Sequence, residues 1–392
     1  MESFYRTHNY LLNHVQSPVR RELMDEINWD DRLIGIKGTR GVGKTTFLLQ
    51  YAKEHFGSDN RECLYMNLNQ FCFTTNRIVD FAYDFHLKGG KVLLLDQVFK
   101  YPNWSEELKE CYDRFPDLRV VFTGSSVMRL KEDNPDLSDK VQSYNLRGFS
   151  FREYLNLMAK TAFRSYTLGE LLENHVEIAR SIVSQVKPLA YFHDYQHHGF
   201  YPFFMEKRNF SENLLKTMNM ILEVDVLLIK QIEQSYLPKL KKLFYLLYAE
   251  APGLPPNVSQ LSKEIETSRA TVMNYMKYMK DGRLINLLYP LGEEFPKKPA
   301  KVYMQNSNLL YPMGTVAVDM QTARETFFYN QLFKDNTLNS TPKAHFLVNN
   351  ETCFHIEETA VAKQITAHYY AVEKIEVGEK NVIPLWLFGF LY

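Results

Sequence analysis

Over roughly the first 150 residues, short unbroken apolar runs alternate with stretches of helical periodicity, the pattern of an α/β fold built around a parallel sheet. Runs at Leu33 to Lys37, Cys63 to Leu68, Val92 to Asp96 and Arg119 to Thr123 predict strands, and Val141 to Leu146 would complete a five-stranded sheet. From Phe151 to about Gln234 the period becomes helical and rich in Leu, Met and aromatic residues, as in a lid or bridging bundle. The stretch Lys241 to Pro290 has its own character. A helix from Leu243 is broken at Pro255-Pro256-Asn257, a second follows over Val258 to Ile265, and a third over Ser268 to Lys280 leads into a strand at Arg283 to Tyr289. That order predicts a winged helix-turn-helix, with Arg269, Thr271, Asn274 and Lys277 placed to meet a duplex.

The first run carries the most specific chemistry. It feeds directly into Gly38-Thr39-Arg40-Gly41-Val42-Gly43-Lys44-Thr45-Thr46, a G-x-x-x-x-G-K-T loop followed by the helical run Phe47 to Ala52. Gly38, Gly41 and Gly43 let the backbone wrap a triphosphate, and the N–H groups of Gly41, Val42, Gly43, Lys44 and Thr45 turn inward. Lys44 reaches the outer phosphates and Thr45 offers a hydroxyl to Mg²⁺, with Thr46 completing the turn. The candidate cofactors are therefore ATP and Mg²⁺. Asp96, ending a fully apolar run, is the Walker B carboxylate that would hold the metal opposite Thr45. Gln97 stands where hydrolysing members of this class carry the glutamate base. An amide can hold a water but cannot take its proton, so slow or absent turnover is expected. After the fourth run, Thr123, Ser125 or Ser126 is the candidate sensor beside the γ-phosphate, with Ser125 assigned to the nucleotide site.

Composition changes this picture little. With 392 residues, 45% apolar and 14% aromatic, the chain is globular, with room for about two to four domains. Forty-six basic and 46 acidic residues cancel, so no global field draws it toward nucleic acid or an anionic membrane. Cys63, Cys72, Cys111 and Cys353 are scattered, no secretory pattern opens the chain, and the apolar tail Ile383 to Tyr392 is too short to span a bilayer. A reduced, cytoplasmic setting is expected. His345, His355 and Glu357 form a conceivable transition-metal set, because His355 and Glu357 share a strand face. His193, His197 and His198 read as surface or packing residues.

The runs Arg32 to Gly38 into Thr46, Asp96 with Lys100-Tyr101-Pro102-Asn103-Trp104, Thr123 to Ser126 and Phe149 to Leu155 together resemble the AAA-type P-loop ATPases of bacteria and archaea that end in a restriction-endonuclease-like domain. Gly199 to Phe204, Lys298 to Tyr303, Arg324 to Phe328 and Ile383 to Tyr392 continue the resemblance in order. It implies an AAA-type parallel sheet in 1–150, a helical lid in 151–235, a winged helix in 236–295 and a small α/β nuclease-like domain in 296–392. The departures matter as much. The resemblance implies Asp-Glu where this chain has Asp96-Gln97, and an arginine pair where it has Ser138-Asp139-Lys140, with Asp139 unsuited to a neighbour's γ-phosphate. The nuclease positions, implied as Asp-Phe and Phe-Glu-Val-Gly-Gly-Lys, read His345-Phe346 and Phe354-His355-Ile356-Glu357-Glu358-Thr359, leaving Glu325 alone on the preceding helix. Three roles follow: an ATP-binding switch or scaffold with an unidentified protein partner, a working ATPase that needs a replacement base, for which Asn67 to Asn69 is one candidate region, or a DNA-associated protein with a retired nuclease domain.

Overall fold

A computed structural model describes residues 1–392 except 59, 207–208, 251, 315–316 and 360–364. The chain divides into two compact units, residues 1–147 and 148–392.

In the first unit, β1 (Leu33–Gly38), β2 (Cys63–Asn67), β3 (Val92–Asp96), β4 (Arg119–Ser125) and β5 (Gln142–Asn145) form one parallel sheet in the order β2-β3-β4-β1-β5. The central strands are buried along their length because helices cover the faces, which is why they read as unbroken apolar runs. The acidic strand β3 is separated from the P-loop strand β1 by β4, and β2 is an edge. An edge strand leaves a row of amides unpaired. The helix Glu2–His14 packs along β2, and His8, fully buried, uses its Nδ1 to accept the Tyr65 backbone N–H at 3.0 Å. The Tyr5 hydroxyl donates to the Arg61 carbonyl at 2.9 Å and holds the same edge.

The second unit has a core that runs from the helix Phe151–Ala159 to the end of the chain. Phe151, Tyr154, Leu171, Ile182, Phe192 and Tyr195 pack with Phe327, Phe328, Trp386 and Phe390. The apolar tail is thus interior: Trp386, Leu387 and Phe388 are fully buried, and the Arg152 guanidinium donates to the Tyr392 carbonyl at 3.0 Å. Ser150 with Glu153 and Thr167 with Glu170 form capping boxes that start the helices Phe151–Ala159 and Leu168–Val183. Farther on, the helices Leu237–Glu250, Val258–Glu264 and Arg269–Asp281 lead into an antiparallel pair, β6 (Ile285–Leu288) and β7 (Lys301–Met304). Asn257 and Ser268 cap the second and third of these helices by accepting the N–H groups of Gln260 and Thr271. A mixed sheet in the order β12-β11-β10-β9-β8 closes the unit: β8 (Leu338–Thr341), β9 (Ala344–Val348) and β10 (Thr352–Glu357) are antiparallel, whereas β11 (Tyr369–Val372) and β12 (Val382–Pro384) run parallel to β10. The helix Met320–Leu332 packs on it. Among the described residues no helix is long and apolar enough to cross a membrane.

Burial lowers His8 to a pKa of about 4. A folded-state value below the unfolded one means that the unfolded chain binds more protons, so His8 contributes stability that is complete above pH 6.5 and is lost as pH falls toward 4. The expected loss is up to about 3 kcal/mol. Denaturant unfolding of the protein and of His8→Gln across this window should show the steeper pH slope only with the histidine; equal slopes would place the effect elsewhere.

Candidate functional site

The glycine loop leaves β1 at Gly38. A Cβ there would lie 2.6 Å from the Leu146 carbonyl oxygen, so the close approach of the two segments demands glycine. Gly41 and Gly43 have φ of +82° and +92°, and Gly43 is the N-cap of the helix Lys44–His55. The buried Val42 anchors the loop from below, its carbonyl accepting from the Arg21 guanidinium at 3.2 Å while the same guanidinium donates to the Arg147 carbonyl at 2.7 Å. Arg21 escapes a sequence reading because no local pattern marks it and its other acceptor, the Arg147 carbonyl, lies 126 residues on. Lys44 donates from Nζ to the carbonyls of Gly38 and Thr39 at 2.7 and 2.8 Å, the ammonium folding back over the loop. Thr46 is half-buried in the first turn of that helix.

Asp96 organises the mouth of the site. Only 1% exposed, its carboxylate accepts three hydroxyls from three other elements. Thr45 donates to Oδ2 at 2.7 Å, Tyr65 donates to the same oxygen at 2.8 Å, and Thr123 donates to Oδ1. Thr123 in turn accepts the Gln97 N–H at 3.0 Å. Gln97 is held in the left-handed region, φ +61° and ψ +46°, at the end of β3, a conformation that non-glycine residues adopt at a cost. Ser125, buried at the end of β4 and paired in register with Gly38, accepts the Val127 N–H at 3.3 Å. The Ser126 hydroxyl is buried with no hydrogen-bond partner among the described residues.

Of the candidate sensors, Thr123 is thus the one joined to Asp96. Tyr65 is the residue the sequence conceals. In the parallel register Asn67 lies opposite Asp96, and Tyr65, two residues earlier, shares that face. Burial first, and then the Asp96 charge, push its phenol well above the usual tyrosine range. A phenol held neutral in this way is a donor and not a base. The geometry fits a nucleotide with its metal. Gly38 leaves room where any side chain would clash, the two left-handed glycines shape the turn, and Thr45 and Asp96 sit within one hydrogen bond.

A second titratable cluster lies in the carboxy-terminal sheet. His345 on β9 and His355 and Glu357 on β10 bring candidate ligand atoms within 4.8 Å of one another. The hydrogen bonds decide against a three-ligand site as the side chains stand. The Nδ1 of His345 accepts the Ile356 backbone N–H at 2.9 Å, so in the neutral ring the proton is on Nε2, which faces Glu325 Oε1 at 3.8 Å. A metal at that nitrogen would move the proton to Nδ1 and set two N–H groups against each other. His355 shares a proton with His368 across 2.9 Å, and burial together with the neighbouring His345 and His368 lowers its pKa. His355 and Glu357 alone fall short of the protein ligands that a zinc site uses. Glu325, the carboxylate on the helix Met320–Leu332, already accepts three donors: the Tyr303 hydroxyl, Lys301 Nζ at 3.1 Å and Gln321 Nε2 at 3.0 Å. In the other histidine group, His197 stacks on Tyr311 with ring centres 3.7 Å apart, a packing role.

Comparison with known proteins finds matches in both units. Residues 30–155 match the model of the AAA domain family, so this segment is an AAA-type P-loop domain, and residues 189–316 match a domain family of unknown function, DUF8612. An uncharacterized protein of Methanocaldococcus jannaschii is similar, 24% identical over 382 aligned residues that cover 88% of this chain and 80% of that one. Among solved structures, a RuvB variant of Thermotoga maritima overlays with a TM-score of 0.31 at 13% identity, covering 81% of this chain and 96% of that one. The ORC1 protein of Aeropyrum pernix, solved in complex with DNA, overlays with a TM-score of 0.32 at 11% identity, covering 83% and 91%. Superpositions this loose carry no functional information.

If His345 is committed as an acceptor, one equivalent of Co²⁺ should give no tetrahedral d–d absorption, and one equivalent of Zn²⁺ should leave the melting temperature where it was. A Co²⁺ spectrum that disappears in His355→Ala would reverse this assignment.

Proposed function

We propose that this chain binds ATP with Mg²⁺ through its P-loop and turns it over slowly, acting as a nucleotide-dependent switch or scaffold. One observation carries the reading: a complete phosphate loop and a Thr45–Asp96 pair stand beside Gln97, whose amide cannot deprotonate water. The backbone N–H groups from Gly41 to Thr45 and the Lys44 ammonium would take the phosphates, replacing the carbonyls that Lys44 now meets. Thr45 and Asp96 would hold the metal, and Ser125 with Thr123 would flank the γ-phosphate side. Bound Mg²⁺ supplies charge neutralisation of the phosphates. The alternative, a working ATPase with a replacement base, finds little support. Asn67, Leu68 and Asn69 offer no carboxylate, and Tyr65 keeps its proton.

The same reading extends to the second unit. We infer a winged helix over 236–295, from the two capped helices joined by a short turn and followed by β6, whose antiparallel partner β7 lies just past that boundary, and a retired nuclease-like domain over 296–392, from the mixed sheet whose acidic metal positions carry histidines. Contact with DNA is a second role favoured by one feature. Arg269 and Asn274 are exposed on the helix Arg269–Asp281, with Thr271 and Lys277 half-exposed beside them. Duplex affinity that falls steeply with salt, and falls further in Arg269→Ala, would support it; affinity insensitive to both would remove it.

The experiment that tests the switch is retention. Protein loaded with Mg-ATP and stripped of free nucleotide should hold intact ATP for hours, Lys44→Ala should hold none, and Gln97→Glu should convert the bound ATP to ADP at least about a hundredfold faster. Rapid ADP formation by the unaltered protein would overturn slow turnover, and empty protein would overturn nucleotide binding itself.

A further inference from the structure

We propose that Tyr65 is a positioning residue that holds down the Mg²⁺ affinity of the nucleotide site, its hydroxyl competing with metal-bound water for the Asp96 carboxylate. The inference rests on the nucleotide-binding reading above and adds to it a control on the metal. A carboxylate offers about four lone-pair positions. At Asp96 the hydroxyls of Thr45, Tyr65 and Thr123 take three of them. A Walker B aspartate holds its metal through the hydrogen atoms of coordinated waters, so each lone pair already engaged by the protein is one the hydrated ion must do without.

The three hydroxyls are not equivalent. Thr45 can keep its proton on Asp96 while an oxygen lone pair turns to the metal, so its bond survives loading. Thr123 accepts the Gln97 N–H, which fixes its own proton on Oδ1 and ties it to the shape of the turn after β3. Tyr65 belongs to neither the P-loop nor that turn. It reaches the carboxylate from the edge strand β2, is 4% exposed, and has its backbone N–H held by His8 at 3.0 Å. A phenol fixed at both backbone and ring cannot easily swing aside when the ion arrives. Three donors also spread the carboxylate charge, which makes it a weaker acceptor for water on a cation. The consequence is a site in which the phosphates are held chiefly by backbone and Lys44, and in which Mg²⁺ occupancy can vary while nucleotide stays bound.

The test separates metal from nucleotide. Binding of a fluorescent N-methylanthraniloyl-ATP is measured in EDTA and then across a MgCl₂ titration, for the unaltered protein and for Tyr65→Phe, which keeps the ring and removes only the hydroxyl. The expected result is equal binding in EDTA and a half-saturating Mg²⁺ concentration lowered by about three- to tenfold in Tyr65→Phe, the net scale of one ordinary intramolecular hydrogen bond. A melting curve in EDTA accompanies each protein, because a purely structural tyrosine would lower stability without moving the Mg²⁺ midpoint. An unchanged or raised midpoint, with nucleotide bound by both proteins, overturns the role of Tyr65 alone. Failure of the unaltered protein to bind nucleotide at all overturns the role together with the reading it rests on.

Discussion

The buried Asp96 carboxylate is the constraint around which the amino-terminal unit is arranged. A carboxyl group with 1% exposure is tolerable only if its lone pairs are engaged, and here the partners come from β2, from the P-loop helix and from β4, so one side chain links three elements to the end of β3. The sheet order makes this possible. With β3 between β2 and β4, the side chains of Tyr65 and Thr123 reach the carboxylate from either side, and Thr45 closes it from the helix that follows β1. The geometry is cooperative: shifting β2 by one residue would turn Tyr65 to the opposite face and leave Oδ2 one donor short. The amino-terminal helix enters at this point, since His8 pairs an amide of the edge strand that no neighbouring strand can pair.

Much of this unit is legible in the chain because its signals are local. Four apolar runs mark the buried parallel strands β1 to β4, whereas the polar edge strand β5 is readable only as the segment that completes the sheet, and the glycine spacing of the loop states its own backbone requirements, met at Gly41 and Gly43 by positive φ and at Gly38 by a carbonyl where a Cβ would go. Tyr65 and Arg21 are illegible for the opposite reason. Their roles depend on strand register and on a contact across more than a hundred residues of chain, and nothing in their immediate neighbours marks them. Thr123 falls between, since its place near a strand end is readable while its hydrogen bond to Asp96 is not.

The carboxy-terminal unit shows the same limit in another form. A tail that reads as an isolated apolar segment is interior, packed on the helix that opens the unit more than two hundred residues earlier. Periodicity assigns such residues to an element but says nothing of what that element packs against. The histidines at 345 and 355 fall on paired strands, yet pairing of strands is not coordination. What separates the two is one backbone N–H, which takes the lone pair of His345 at Nδ1 and leaves a proton at Nε2.

Glu325 carries that argument to its end. A buried carboxylate with no metal beside it must be protonated or supplied with other donors. Here it is supplied: Lys301 provides the positive charge, the Tyr303 hydroxyl and Gln321 amide fill further lone pairs, and the Nε2–H of His345 faces it across 3.8 Å. Burial and the Glu325 charge hold the Tyr303 phenol in its neutral, donating form. On the proposed reading of a retired nuclease, a histidine at the former acidic position is then more than a lost ligand. It removes a negative charge next to Glu325 and adds a donor in its place, so the substitution that ends metal chemistry also relieves the repulsion that the departed metal would have left behind.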